Sequence, residues 1–263
     1  MNVTRGTGQF EVRLASGQAE LHAVQKLRYR VFVQELGASG ALANQAEGIE
    51  KDGYDAHCDH LVLIDKLRAG ETAAQIVGVY RLMGQAGAEM AGQYYSESEF
   101  DLGPLRASGR TMLELGRSCV LPEYRSGLAM FHLWKGLAAI VAAKGVEILF
   151  GVASFHGTDI AGLSPSLSML HHRHLAPRAL RACAKTGADP ADWLRPLNQI
   201  DRRAAMVQVP ALIKAYLRLG GYIGEGVYVD YVFNTTDVFM VVDMAGINEK
   251  QKTLYSQSIE GQR

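Results

Sequence analysis

Residues 112–127 read MLELGRSCVLPEYRSG, and the fold follows from how this stretch is parsed. The alternating apolar run over residues 112–121 carries Glu114 and Arg117 and reads as a strand. It stops at Pro122 and turns through Tyr124-Arg125-Ser126-Gly127 into a helical pattern beginning near Leu128. A strand that ends in a glycine-bearing turn and feeds a helix leaves several backbone N–H groups unpaired at the helix start. That is a ready place for a phosphate-bearing ligand. A carboxylate and a guanidinium on the preceding strand set acid–base chemistry beside it. Three residues apart on a strand, Glu114 and Arg117 project to opposite faces unless a bulge intervenes.

Working outward, residues 9–14, 58–65, 75–83, 146–155, 226–233 and 237–243 read as strands. Helical spacing covers residues 20–34, 128–144, 166–175 (opened by Pro165) and 210–219. Residues 37–53 form a Gly/Ala-rich loop, 84–110 read as irregular apart from a helical turn over 94–100, and 176–208 are basic and punctuated by proline. These elements predict a mixed α/β fold with a largely antiparallel sheet flanked by helices. No domain break is visible, so the expectation is one domain with a basic helical insertion over about residues 164–220 and a disordered tail over 245–263.

The charge balance is neutral, 27 basic against 27 acidic residues, so the electrostatic footprint of a nucleic-acid partner is absent. The distribution is uneven: Glu47, Glu50, Asp52, Asp55 and Asp59 face Lys51 alone, whereas residues 173–218 hold nine bases against Asp189, Asp192 and Asp201. Cys58, Cys119 and Cys183 have no metal-binding spacing and fit a reducing cytosol. The longest apolar run, residues 137–143, is far too short to span a bilayer, and the first residues lack a secretory apolar region. The expected location is cytoplasmic.

Several constellations carry chemistry. Glu50, Asp52 and Asp55 form E-x-D-x-x-D, three carboxylates that repel unless a cation sits among them: a substrate ammonium, or Arg28 or Arg30 of the preceding helix. A carboxylate on a buried strand is costly without a partner or a task, so Glu114 is either a base for an amine nucleophile or a structural partner of Arg81. The turn over residues 123–129, with Arg125 and Gly127, would hold a pyrophosphate or phosphopantetheine. His60 and Asp65 match H-x4-D but sit on opposite faces of one strand, so they form no catalytic pair. His171 and His174 share a helix face without an accompanying acid or thiol, and no metal is expected there. His156-Gly-Thr-Asp159, past a strand end, is a stronger polar cluster.

The order of elements matches the plan of the GCN5-related N-acetyltransferases (GNAT). The words LRYRVFVQELGA, DGYDAHCDHLVLID, VGVYRLM, YYSESEFDL, LELGRSCVLPEYR, ASFHGTD, LHHRHLAP, LIKAYLRLG and FNTTDVFMVV run in order through the chain. In them the sequence resembles the bacterial L-ornithine Nα-acyltransferases, which make lyso-ornithine lipid from acyl-carrier-protein thioesters. A more distant similarity is to acyl-homoserine-lactone synthases, whose pattern falls here on Arg28 with Phe32, on Glu50, Asp52 and Asp55, on Arg81, and on Glu114 with Arg117. That likeness implies that the N-terminal charged set organises the acyl and amine pockets and that Glu114 is the base. The acetyltransferase turn Q/R-x-x-G-x-G/A is one residue shorter here, at Arg125 to Ala129, which suits a carrier-protein arm better than coenzyme A.

The resemblance implies direct transfer with no bound cofactor, the acyl-phosphopantetheine of acyl carrier protein being a co-substrate. Backbone N–H groups near Cys119 and Val120 would polarise the thioester, and Arg81 or Arg117 would meet the substrate carboxylate. Residues 173–218 would meet the acidic carrier protein, acidic lipid, or both, with peripheral contact at the inner face of the membrane. Glutamine or another amino acid competes with L-ornithine as acceptor. A Cys119 acyl-enzyme and a non-catalytic carrier-protein-binding module are the rival readings.

Overall fold

The computed structural model describes residues 8–39, 43–125 and 128–247. Its contacts group into two compact units. One holds the described residues up to Gln93 together with Leu113–Val146; the other holds Tyr94–Met112 and the described residues from Glu147 onward.

In the first unit, β1 (Phe10–Leu14) is followed by helix α1 (Gly17–Arg28), then β2 (Asp59–Asp65), β3 (Ile76–Gly84), β4 (Met112–Val120) and helix α2 (Leu128–Lys144). The strands lie side by side in the order β1-β2-β3-β4, each pair antiparallel. Alternation splits the sheet into two faces. Val12, Leu63 and Gly78 are cross-strand partners on one face, which meets α2. Contact there is so close that a Cβ on Gly136 would lie 2.3 Å from Val12 Cγ1, and one on Gly78 would lie 3.1 Å from Leu133 Cδ1. Glycine in mid-helix, normally unfavourable, is what lets α2 approach. On the other face the register aligns His60, Arg81 and Gly116, with Met83 opposite Glu114. Helix α1 and the short strand Ile49–Glu50 cover this polar side.

The helix expected over residues 20–34 is α-helical only to Arg28 and continues as a π-helical segment, Tyr29–Glu35, with Leu36 N–H donating to Val31 C=O five residues back. Apolar spacing cannot distinguish the two, because both bury a stripe. The loop expected over 37–53 contains a small pairing of Ala43–Asn44 with Ile49–Glu50, turned by Asn44, whose Oδ1 accepts the Ala46 and Glu47 N–H groups. Residues 84–110 are more regular than expected. Gln85–Ala91 and Gly103–Ala107 are helical, and Gly87 is forced by a close approach, since its Cβ would meet His57 C=O at 2.2 Å.

In the second unit β5 (Ile148–His156) pairs antiparallel with β6 (Thr235–Asp243) along its whole length, and Phe100, Phe150 and Phe239 pack at its centre. Helices α3 (Ile160–His174), α4 (Arg202–Gln208) and α5 (Ala211–Arg218) lie between them in the chain. The expectation that Pro165 opens α3 is corrected: the helix starts five residues earlier, at Ile160, capped by Asp159, whose Oδ1 accepts Gly162 N–H at 3.1 Å. Proline removes the bond that Ala161 C=O would have received, and Arg195 Nη2 donates to that carbonyl at 3.5 Å. The buried serines 164, 166 and 168 that obscured the helical pattern donate to Trp193 C=O and Ala205 C=O. Both units are antiparallel strands with packed helices, so the mixed, largely antiparallel α/β fold holds. The tail expected over 245–263 lies outside the described residues beyond Ile247.

Candidate active site

The polar face of the first unit concentrates the charged residues that the sequence singles out. Arg28, at the end of α1, is fully buried; its Nε donates to Glu50 Oε2 and its Nη1 to Asp55 Oδ1 at 2.6 Å. Arg81, from β3, donates through Nη1 to Asp52 Oδ1 at 2.6 Å and to Asp55 Oδ1 at 3.0 Å. Arg117, from β4, closes the ring, with Nε 3.2 Å from Glu50 Oε1 and Nη2 3.1 Å from Asp52 Oδ2. Gln25 Nε2 donates to Asp55 Oδ2 at 3.1 Å. All six carboxylate oxygens therefore accept a hydrogen bond from the protein, and three guanidinium charges balance three carboxylates. The E-x-D-x-x-D spacing thus serves an internal network, with cations drawn from three separate elements.

Burial alone would push Asp52 and Asp55 toward their neutral forms, but the arginines outweigh it. Asp55 is held down at about 2, against desolvation, by Arg28 and then Arg81. Asp52 is lowered in the same way by Arg81 and Arg117. Burial lowers the pKa of Arg28, yet Glu50 and Asp55 raise it further than burial lowers it, so it stays charged.

A bulge brings Glu114 and Arg117 to one side. Gly116 pairs with Arg81 and Cys119 with Val79, so Arg117 and Ser118 together face Tyr80 alone. Arg117 takes the left-handed φ of +46°, uncommon for a side-chain-bearing residue, and the extra residue reverses the alternation. Its guanidinium thereby reaches Asp52 alongside that of Arg81, on the face where Glu114 pairs across from Met83. Glu114 is only 3% exposed, and its charge raises the Cys58 pKa. Two thiols are held protonated: burial, then Glu114 and the aspartates, leave Cys58 at about 12 despite Arg81, and burial pushes the Cys119 thiol up strongly.

A GNAT acetyltransferase domain model matches residues 27–135, the segment that carries this cluster. The L-ornithine N(alpha)-acyltransferase of Rhodobacter capsulatus is 50% identical over 252 residues, 96% of each chain. Its counterpart from Brucella abortus is 40% identical over 250 residues, 94% of this chain and 89% of the relative. The chain belongs to the L-ornithine Nα-acyltransferase family. It is an N-acyltransferase of GNAT type. Among solved structures, FeeM, an N-acyl amino acid synthase from uncultured soil microbes, shares the fold with a TM-score of 0.51 at 9% identity, covering 90% of this chain and 91% of that one.

The remaining sequence-selected residues of this acyltransferase are dispersed. Phe32 is half-buried in the π-helical segment. Cys119 and Val120 close β4 opposite Val79 and Gly78, and Val120 C=O accepts Arg125 Nε at 3.0 Å. Arg125 also grips Glu35 with both Nη atoms, at 2.5 and 2.7 Å, whereas Gly127 lies outside the described residues. In the second unit His156 ends β5, exposed and opposite Thr235, and Asp159 is the cap of α3. His60 and Asp65 are separately engaged, His60 Nε2 with Asp55 C=O and Asp65 with the Tyr124 hydroxyl, as opposite faces require. His172 Nε2 meets Arg195 C=O at 2.8 Å.

Sequence reading missed one cluster: Glu99, Asp230 and Asp237 bring carboxylate oxygens within 4.8 Å of one another, and with burial they raise the Tyr228 pKa. More than 130 residues separate Glu99 from Asp230, so no local spacing announces it. Among the described residues, no helix is long and apolar enough to cross a membrane.

Proposed function

We propose that this protein transfers a (3-hydroxy)acyl group from acyl carrier protein to the α-amine of L-ornithine, giving lyso-ornithine lipid. The acceptor follows from the names of relatives that align over nearly the whole chain. The observation that carries the mechanism is the bulge, which sets buried Glu114 on one face with a charge cluster that already neutralises itself. Glu50, Asp52 and Asp55 are held by the three arginines as a scaffold, and Glu114, buried on the same face, is the carboxylate assigned to the chemistry.

An amine is protonated at neutral pH and must shed a proton before it can attack. Glu114 takes that proton, directly or through water. The amine then adds to the thioester carbonyl, whose oxyanion is met by backbone N–H groups from the bulge to Cys119 and Val120. The tetrahedral adduct collapses to the amide, the C–S bond breaks, and the phosphopantetheine thiolate leaves and is protonated. The raised Cys58 and Cys119 pKa values support direct attack over an acyl-enzyme. The co-substrate arm is acyl-phosphopantetheine, and the amphiphilic product places the enzyme at the inner face of the cytoplasmic membrane, peripherally.

The test is an assay of purified protein with 3-hydroxyacyl carrier protein and a panel of free amino acids, products resolved by mass. Acylated ornithine in large excess over acylated glutamine is the expected result. Glutamine acylation would overturn the acceptor alone, and no product with any amine would overturn the enzymatic reading.

A further inference from the structure

At the end of β4 remote from Glu114, three arginines gather on the surface of the first unit. Arg30 Nη2 and Arg68 Nη1 approach the same oxygen, Glu123 Oε1, at 3.7 and 3.8 Å, beyond hydrogen-bond length. One carboxylate is shared by two guanidiniums, and both arginines are substantially exposed, 51% for Arg30 and 35% for Arg68. Arg125 stands in the same turn as Glu123 and is braced by Glu35 and by Val120 C=O. Lys66 adds a fourth cation next to Arg68 in sequence, and Leu67 between them is 76% exposed. Leu128, at the start of α2, is 51% exposed.

The platform beneath is fixed. The Tyr124 hydroxyl donates to Asp65 Oδ2 at 2.7 Å, tying the 122–124 turn to the end of β2, and Phe10 packs edge-on against the Tyr124 ring. The four cations outnumber the acids among them, Glu35, Asp65 and Glu123, by one, and a braced surface with that excess and exposed apolar side chains fits an acidic protein partner, which gains from pre-placed charge without ordering the surface first. Its position suits the chemistry. The chain from the Ser118 bulge to Leu121 spans about 10 Å at strand rise, a reach that a flexible thioester-bearing arm covers.

Resting on the carrier-protein reading above, we infer that Arg30, Arg68 and Arg125, flanked by Leu67 and Leu128, form the docking surface for the acidic acyl carrier protein. This assigns the dock to the first unit rather than to the basic stretch 173–218 that composition alone suggests. The surface steers the donor and leaves the chemistry untouched.

The experiment compares two donors: acyl carrier protein, and acyl-pantetheine bearing the same acyl group without the protein. In the double variant Arg30→Glu/Arg68→Glu, KM for acyl carrier protein should rise about tenfold or more and lose its salt dependence. KM for acyl-pantetheine and kcat with either donor should stay within about twofold, and Arg30→Lys/Arg68→Lys should retain most of the affinity. Equal loss with both donors, or no change with either, overturns the inference. Loss of binding to phosphatidylglycerol vesicles with an unchanged carrier-protein KM reassigns the surface to the membrane and also overturns it. If wild-type protein accepts acyl-pantetheine but refuses acyl carrier protein, the carrier-protein reading itself falls, an outcome distinct from an unaffected variant.

Discussion

The two faces of the four-stranded sheet in the first unit are built on opposite principles. Toward α2 the fit is steric, with Gly136 and Gly78 allowing backbone to approach side chains to within van der Waals limits. Toward α1 the fit is electrostatic, with three arginines and three acids buried and mutually neutralised. The first face is cheap to assemble and tolerant of chemistry, though not of volume. The second is tolerant of neither, because each ion leaves water and depends on its partners to compensate. The charged face is also where Glu114 sits, and it is the face to which the proposed mechanism assigns the chemistry.

Breaking the electrostatic side should have the largest effect on stability. Arg28→Met keeps bulk but removes the buried guanidinium that Glu50 and Asp55 share, and should cost about 3–5 kcal/mol in urea unfolding. A loss below about 1 kcal/mol would mean that the ring is not structural. On the steric side, Gly136→Ala should cost about 1–3 kcal/mol by overpacking against Val12, with its effect on kcat minor. A stabilised Gly136→Ala protein, as helix propensity alone would give, would contradict the close contact.

Acid distinguishes the faces without mutation. Asp55 is held at about 2 against an ordinary 3.8, so the unfolded chain takes up its proton first as pH falls. The associated stability, about 2 kcal/mol, is fully present above about pH 4 and is lost as the pH falls toward 2. Urea midpoints should therefore drop on going from about pH 5 to about pH 3 in wild type, and drop by the same amount in Gly136→Ala, where the ring is intact. A midpoint flat across that window would show that the acids are not depressed.

The steric face was the more legible of the two. Alternation in 58–65 and 75–83 and the apolar run from Leu128 give strands and helix within a residue or two, since burial of one face imposes the period. Arg28, Glu50, Asp52, Asp55, Arg81 and Arg117 are all legible from charge pattern and resemblance, and so is Arg28 as a cation among the acids, but the pairing of Arg81 and Arg117 with them is not. It needs the bulge at Arg117, a two-against-one register that no local residue choice enforces. The start of α3 was missed because a proline and three serines break its apolar stripe, and their polar groups are satisfied by segments about 25–40 residues further along. Sharing of Glu123 between Arg30 and Arg68 joins the π-helical segment to two distant turns and has no sequence signature at all.

In the proposed mechanism Glu114 draws the proton from the attacking amine on the charged face. The most direct test of that step is acyl transfer from carrier protein to ornithine by Glu114→Gln, with thermal unfolding and donor KM measured on the same preparation. A fall in kcat of about 100- to 10,000-fold, with the melting temperature and donor KM near wild type, is the expected result. Turnover within a few-fold of wild type in a folded Glu114→Gln protein would contradict it and leave Glu114 as a structural residue of the charged face.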